Sequence, residues 1–384
     1  MAGDRHGRAQ RLAIALLAGA WIGGCGAPAP ATTLPSSGAA PTTHDVVAAA
    51  QRLIADQLAP DHVWPVPPPG PRVAKPRIIA YVGADMTNGG VSGVYAGVLE
   101  AVGRIGWTVR QYDGKATAEG RSIALDAALA AHADGIILGG FDPGEQPAAM
   151  AEARERQIPV VGWHAGTAVD PDAAGHLFAN VTTDPTEVAR LAVDFTIADS
   201  GGRAGVAIFT DSAYQIAMEK ADMMKAQLEL CPGCEVLAFE DTPIVDAKDA
   251  IPPLLTSLLD RFGSRLTYLL AINGNYFAGS AAALRGLGKA GDGAPFAVAA
   301  GDGDGNEFAR IRSGGYQRAS VAEPLPLQGW QLVDELNRAF SGDAPSGYVA
   351  PPALITRTTV PSGAVFDPPG AWRAAYLESW GHPG

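Results

Sequence analysis

From Arg77 onward, strand-length apolar runs alternate with helix-length segments, and no other feature constrains the fold as strongly. IIAYVG from Ile78, GIILGG from Gly135, PVVGW from Pro159, AGVAIFT from Ala204, TYLLAIN from Thr267 and FAVAAGD from Phe296 are nearly continuous apolar runs. Strands buried on both faces read this way, and the intervening segments suit crossover helices, so the pattern predicts βαβ units and parallel sheets. About 300 residues are too many for one core, which predicts two doubly wound α/β lobes with a cleft between them.

The segment upstream of the alternation sets the compartment. Arg5, Arg8 and Arg11 precede the apolar stretch 12–24, which is too short for a resident membrane helix but suits an export signal. Cys25 follows at once, and IGGC (22–25) resembles the lipobox of bacterial lipoproteins, which implies cleavage before Cys25 and lipid attachment to its sulfur. Residues 1–24 are therefore expected to be a lipoprotein signal peptide. Residues 25–76 are rich in Ala, Pro, Thr and Ser and read as a tether, interrupted by one helical patch, HDVVAAAQRLIADQL (44–58), expected to lie against the body or a partner.

Starting at Cys25, the chain holds 25 basic and 39 acidic side chains, a net −14, which disfavours nucleic acid and anionic membrane surfaces as partners. The remaining cysteines, Cys231 and Cys234, form CPGC after a helix-like segment and before a strand-like one. A thioredoxin-like site has the opposite order, and no second Cys pair could complete a zinc site. In an oxidising compartment the expectation is a local structural disulfide.

Six segments bring a family into view: DGIILGGFDP (134), IPVVGWHAG (158), ANVTTDPTEVARLAVDF (179), AINGNYFAGSAAAL (271), VAAGDGDGNEFARIRSGGY (298) and ASVAEPLPLQGWQLVDEL (319). In order and spacing, from about Arg77 to Thr359, they resemble the ribose- and galactose-type solute-binding proteins of ABC importers. The resemblance implies a type 1 periplasmic binding protein fold, two doubly wound parallel-sheet lobes joined by a three-segment hinge. It puts the crossings near Thr183, near Glu323 and near Leu354 to Arg357. Residues 77–183 with 324–353 would form the N-terminal lobe, and 184–323 with 354–384 the C-terminal lobe. From the residues themselves, the Gly-rich break at 201–202 and the Pro-spaced AEPLP (322–326), expected to be extended, are candidate hinges.

Strand ends that face such a cleft supply the candidate ligand contacts. Trp163 and His164 close the run PVVGW. The resemblance implies a direct contact at His164, whereas the residues alone fit a core Trp beside a surface His equally well. Asn88, Asp142, Tyr214, Asn273, Asp302 and Glu323 complete the expected ligand-binding set. The sequence departs from the family where His164 and Ala165 replace an Asp-Arg pair, Gly90 and Val91 replace two stacking aromatics, Gly139 replaces a polar residue, and Met218 stands about where an Arg is expected. These changes predict a site without fixed cations and with a roomier first-lobe half, suited to a neutral or cationic ligand with an apolar face.

Catalysis finds little support, since G-x-S-x-G, P-loop and HExxH patterns are absent; Asp142, His164, Asp211 and Asp302 could share a cleft, but so could any polar binding site. GDGDGNE (301–307) fails as a calcium loop because Glu307 takes the required Gly place and Ser313 the twelfth, and no cofactor or metal is expected. The expectation is a monomeric, lipid-anchored binding protein outside the cytoplasm. It would deliver a small sugar-like solute to an ABC transporter permease, or alternatively present it to a membrane sensor kinase.

Overall fold

The computed structural model describes residues 41–59, 64–166 and 177–382; the expected signal peptide and Cys25 lie outside the described residues. α1 (Thr43–Gln57) opens the described chain. The first lobe follows: β1 (Ile78–Gly83), α2 (Gly89–Ile105), β2 (Thr108–Asp113), α3 (Ala118–Ala130), β3 (Gly135–Gly139), α4 (Pro147–Glu155), β4 (Val160–Trp163) and β5 (Ala179–Val181). Its sheet runs β2-β1-β3-β4-β5 with every neighbour parallel. Strands β3 and β4 are buried throughout, as their uninterrupted apolar runs require.

The chain leaves β5 through Thr182–Asp184 and builds the second lobe. There α5 (Pro185–Ser200), β6 (Gly205–Thr210), α6 (Gln215–Glu229), β7 (Glu235–Asp241), α7 (Ala247–Phe262), β8 (Tyr268–Ala271), α8 (Ser280–Gly286), β9 (Phe296–Ala299), α9 (Gly305–Ser313) and β10 (Gln317–Ala322) succeed one another. At Glu323 the chain passes into α10 (Leu325–Ser341), then returns as β11 (Ala353–Thr356) and ends in α11 (Trp372–Trp380). The second sheet runs β11-β10-β9-β8-β6-β7, parallel except at β10–β11.

Helix α10 belongs to the first lobe: Leu325, Trp330, Leu332, Val333 and Leu336 share a core with Ile79, Tyr81, Val94, Val98 and Ile137. It approaches α2 closely because both helices place Gly at the crossing. A Cβ on Gly97 would lie 2.7 Å from the Pro326 carbonyl oxygen, and one on Gly329 would lie 2.6 Å from that of Val94. This crossing seats α10 beside the hinge.

Three expectations require correction. Residues 354–384 do not all join the second lobe. α11 returns to the first lobe, where Trp380 stacks on Trp330 at 5.4 Å and its indole N–H donates to Asp334 Oδ1 at 2.7 Å. Trp372, Tyr376 and Trp380, spaced four residues apart, form an aromatic stripe that only an apolar surface can cover. Within residues 41–76, α1 lies against the body as expected, with Val46, Val47, Ala50 and Ile54 packed into the second-lobe core, but the Pro-rich run after it is no tether and reaches α10 on the first lobe. There the carbonyls of Pro68, Pro69 and Pro71, which a polyproline-like backbone leaves without partners, accept from Arg338 and Asn337. Finally, Gly201 and Gly202 cap α5 inside the second lobe and are not a hinge; of AEPLP, Leu325 and Pro326 already lie in the first turn of α10, where proline's missing N–H costs nothing.

Cys231 and Cys234 are disulfide-bonded, as expected, and their loop packs on the turn after α5, which lies under the first turn of α1: a Cβ on Gly202 would meet both Thr43 and Val47 within 3 Å. Among the described residues no helix is long and apolar enough to cross a membrane, and no group of His, Cys, Asp and Glu could hold a metal.

Candidate functional site

The carboxyl ends of both sheets converge on a cavity of about 330 Å³, near the lower end of the ~300–1,000 Å³ usual for ligand pockets. A larger hollow of about 780 Å³ lies at the amino ends of the first-lobe strands, but its charged groups are already engaged: Arg77 pairs with Asp134 and Arg156 with Glu152. Asn88, Trp163, His164, Tyr214, Asn273 and Asp302 of the expected set all line the smaller, interlobe cavity.

Behind the lining lies a buried network. Glu323, fully buried at the β10–α10 junction, accepts from His164 Nε2 at 2.8 Å, Lys220 Nζ at 3.1 Å and Gln328 Nε2 at 3.3 Å. Gln328 also donates to Thr183 Oγ1 at 3.1 Å and accepts from the Trp163 indole at 2.9 Å. Two of the three crossing segments, a first-lobe strand end and second-lobe helix α6 thus meet around one carboxylate. Burial alone would raise the Glu323 pKa, but His164 and Lys220 outweigh it and hold the carboxyl below its ordinary range. Burial lowers that of His164, with Glu323 opposing; facing an ionised carboxylate, the ring donates through Nε2–H. Its Nδ1 has no hydrogen bond among the described residues.

Trp163 reconciles its two readings. It is a core residue, bonded to Gln328 and packed with Val91 and Val161, yet one edge lines the cavity and its ring stacks on the His164 imidazole at 4.0 Å and 13°. His164 (φ 49°) and Asp302 (φ 63°) both occupy the left-handed region, strain that persists where the surroundings fix the backbone and that clusters at functional sites. Asp302 is 7% exposed, and its carboxyl has no hydrogen bond from the protein among the described residues. Burial, only partly opposed by Lys220, pushes its pKa up to about 8.

The remaining expected residues divide. Asn88 Oδ1 is occupied in capping α2 through Gly90 N and Val91 N, so its amide NH2 is what it offers a ligand, whereas Asn273 Oδ1 accepts only from Asn275 N and keeps its NH2 and one acceptor site. Glu323 does not touch the cavity and acts through His164 and Lys220. Asp142 is not part of the cavity: it caps the turn Pro143–Glu145 and lines an adjoining recess.

Two sequence-based inferences fail outright. Fixed cations are present: Lys220 lines the cavity from α6, two residues after Met218, and Arg121 lines it from the first lobe, bonded to Glu145 at 2.8 Å. The first-lobe half is not roomier. Where aromatics were expected, a Cβ on Gly90 would lie 2.7 Å from Asp302 Oδ1 and 2.9 Å from the Trp163 ring, so the lobes themselves fill the space. Lys220 was legible only as a polar residue on α6 two positions from the aligned one. Arg121, inside α3, carried no strand-end signal.

A family model described as "Periplasmic binding protein domain" matches residues 79–344. The arabinose-binding component of an ABC transporter from Shewanella sp. ANA-3 superposes with a TM-score of 0.64 at 18% identity, covering 74% of this chain and 93% of its own. A galactofuranose-binding protein gives 0.65 at 16% identity, covering 74% and 96%. A glucose-galactose binding protein from Geobacillus stearothermophilus gives 0.64 at 18%, covering 75% and 100%. No curated protein matches the sequence significantly.

The elevated Asp302 pKa yields a pH prediction. Between the ordinary carboxyl value near 4 and about 8, the folded state binds a proton that the unfolded state has lost. This group therefore makes stability fall as pH rises through that window, at up to about 1.4 kcal/mol per pH unit. Urea unfolding of the unliganded protein and of Asp302→Asn at pH 5, 6.5 and 8 should show the variant losing less stability across the window. Parallel pH dependence in the two proteins would contradict the assignment.

Proposed function

Because the chain belongs to the periplasmic binding protein domain family, we propose that it captures a small sugar or polyol between its lobes and hands it to an ABC importer at the outer face of a membrane. The observation that carries this reading is the Asp302 carboxyl, buried, held in a strained backbone and without a protein partner, at the wall of the interlobe cavity. A buried polar group of this kind is costly unless something bonds it, and a hydroxyl does so without bringing charge. Solved structures with the same fold bear the names of arabinose, galactofuranose and glucose-galactose binding proteins, which supports a hydroxyl-rich solute.

In this reading Asp302, the amides of Asn88 and Asn273, and His164 Nδ1 bond the hydroxyls. The Trp163 edge and the Tyr214 ring cover the solute's apolar face. Glu323 fixes the His164 tautomer and the position of the Lys220 ammonium. In this reading the protein acts as a monomer and binds without catalysis.

A thermal-shift screen of pentoses, hexoses, their furanose forms and sugar alcohols tests the proposal. A solute at ~100 times its dissociation constant adds about 2.7 kcal/mol of stability, a readily visible shift. Calorimetric titration with that solute should show His164→Ala binding more weakly by about 1–3 kcal/mol. A screen without any shift, or unaltered affinity in the variant, contradicts the reading.

The proposal includes a lipid anchor on Cys25, supported by the lipobox-like IGGC after a basic and apolar leader. Expressed in a bacterial host, the protein should partition with membranes and Cys25→Ala should not. Equal membrane retention of both would remove the anchor from the account.

A further inference from the structure

The interlobe cavity has two unlike ends. Its polar lining is deep: Lys220, Asn273, Asp302 and His164 are all buried. Its mouth is aliphatic on the second-lobe side, facing the half-buried Asp85 and Asn88 of the first lobe. Ile216 and Ile244 are half-buried there and Val245 is 60% exposed, the one strongly exposed large aliphatic side chain that lines the cavity among the described residues.

This lip is held in place. Both carboxylate oxygens of Asp211 are occupied by backbone, Oδ1 accepting from Ala213 N at 2.9 Å and Oδ2 from Ile244 N at 2.8 Å. Asp211 therefore ties the turn after β7 to the turn that starts α6, and in doing so fixes Ile216, Ile244 and Val245 beside one another. It is a positioning residue and leaves no oxygen without a partner for a solute. A fixed aliphatic lip beside a polar floor offers a surface that an apolar part of the solute would cover on binding.

From this we infer that the solute carries an apolar substituent that leaves the polar floor through the mouth and rests on Ile216, Ile244 and Val245. The chemical class is a glycoside-type molecule, a sugar or polyol bearing an alkyl or aryl group. The inference rests on the solute-capture reading and specifies it.

The test uses matched probes: L-arabinose, D-galactose and D-glucose, each against its 4-nitrophenyl glycoside, in calorimetric titrations of the mature protein and of an Ile216→Ser/Val245→Ser variant. Both substitutions sit at the rim, and the melting temperature of each unliganded form checks folding. At least one glycoside should bind tenfold or more tightly than its parent sugar, and the variant should abolish that advantage while leaving the parent sugar's affinity unchanged. Parent sugars that bind while glycosides bind no better overturn the inference and leave the sugar-binding reading standing. A glycoside preference that survives in the variant overturns the assignment to this rim. Binding of neither kind of probe overturns the inference, and the sugar-binding reading falls with it only if the wider thermal-shift screen is also without a shift.

Discussion

A single buried carboxylate organises the centre of the molecule. Glu323 lies where the chain passes from the second-lobe sheet into α10, and its two oxygens receive His164 from the first lobe, Lys220 from the second and Gln328 from α10 itself. Burying a lone carboxylate costs several kcal/mol even after relaxation, so it persists only with its partners in place. Two of these partners are themselves held: Gln328 by Thr183 and Trp163, and His164 by stacking on Trp163. The arrangement of the lobes and the composition of the cavity wall are therefore one structural fact.

That constraint explains the chemistry of the cavity. The Lys220 cation is largely satisfied by Glu323, and Arg121 is satisfied by Glu145, so neither is a spare charge awaiting an anion. Asp302 has no such partner. The wall thus offers hydrogen-bonding groups of near-balanced charge, which fits a polyhydroxylated solute better than an ion, and Gly90 lets the first lobe approach Asp302 closely enough to enclose it.

Much of this was legible in the sequence because strand ends are. Continuous apolar runs announce parallel strands, parallel strands announce a binding edge, and His164, Asn273 and Asp302 each follow such a run directly. Helix-borne residues were harder. Lys220 and Arg121 reach the cavity from α6 and α3, where one face differs from the next by a single position and alignment drift of two residues substitutes Met218 for Lys220. Asp142 also follows a strand, yet its side chain is used in capping a turn, a choice made by local backbone geometry that composition does not encode. The return of α11 to the first lobe was written in the Trp372, Tyr376 and Trp380 stripe, but the partner, Trp330, lies on another helix far along the chain.

The central claim is that Glu323 makes His164 and Lys220, residues of opposite lobes, one unit in holding the solute. A double-mutant cycle measures this directly, by calorimetric titration of the wild type, His164→Ala, Lys220→Met and the double variant with the solute found by screening. The account predicts that the second substitution costs less once the first is made, with a coupling of at least about 1 kcal/mol, as expected for residues in one network. Costs that add within about 0.5 kcal/mol, the behaviour of independent sites, would contradict it.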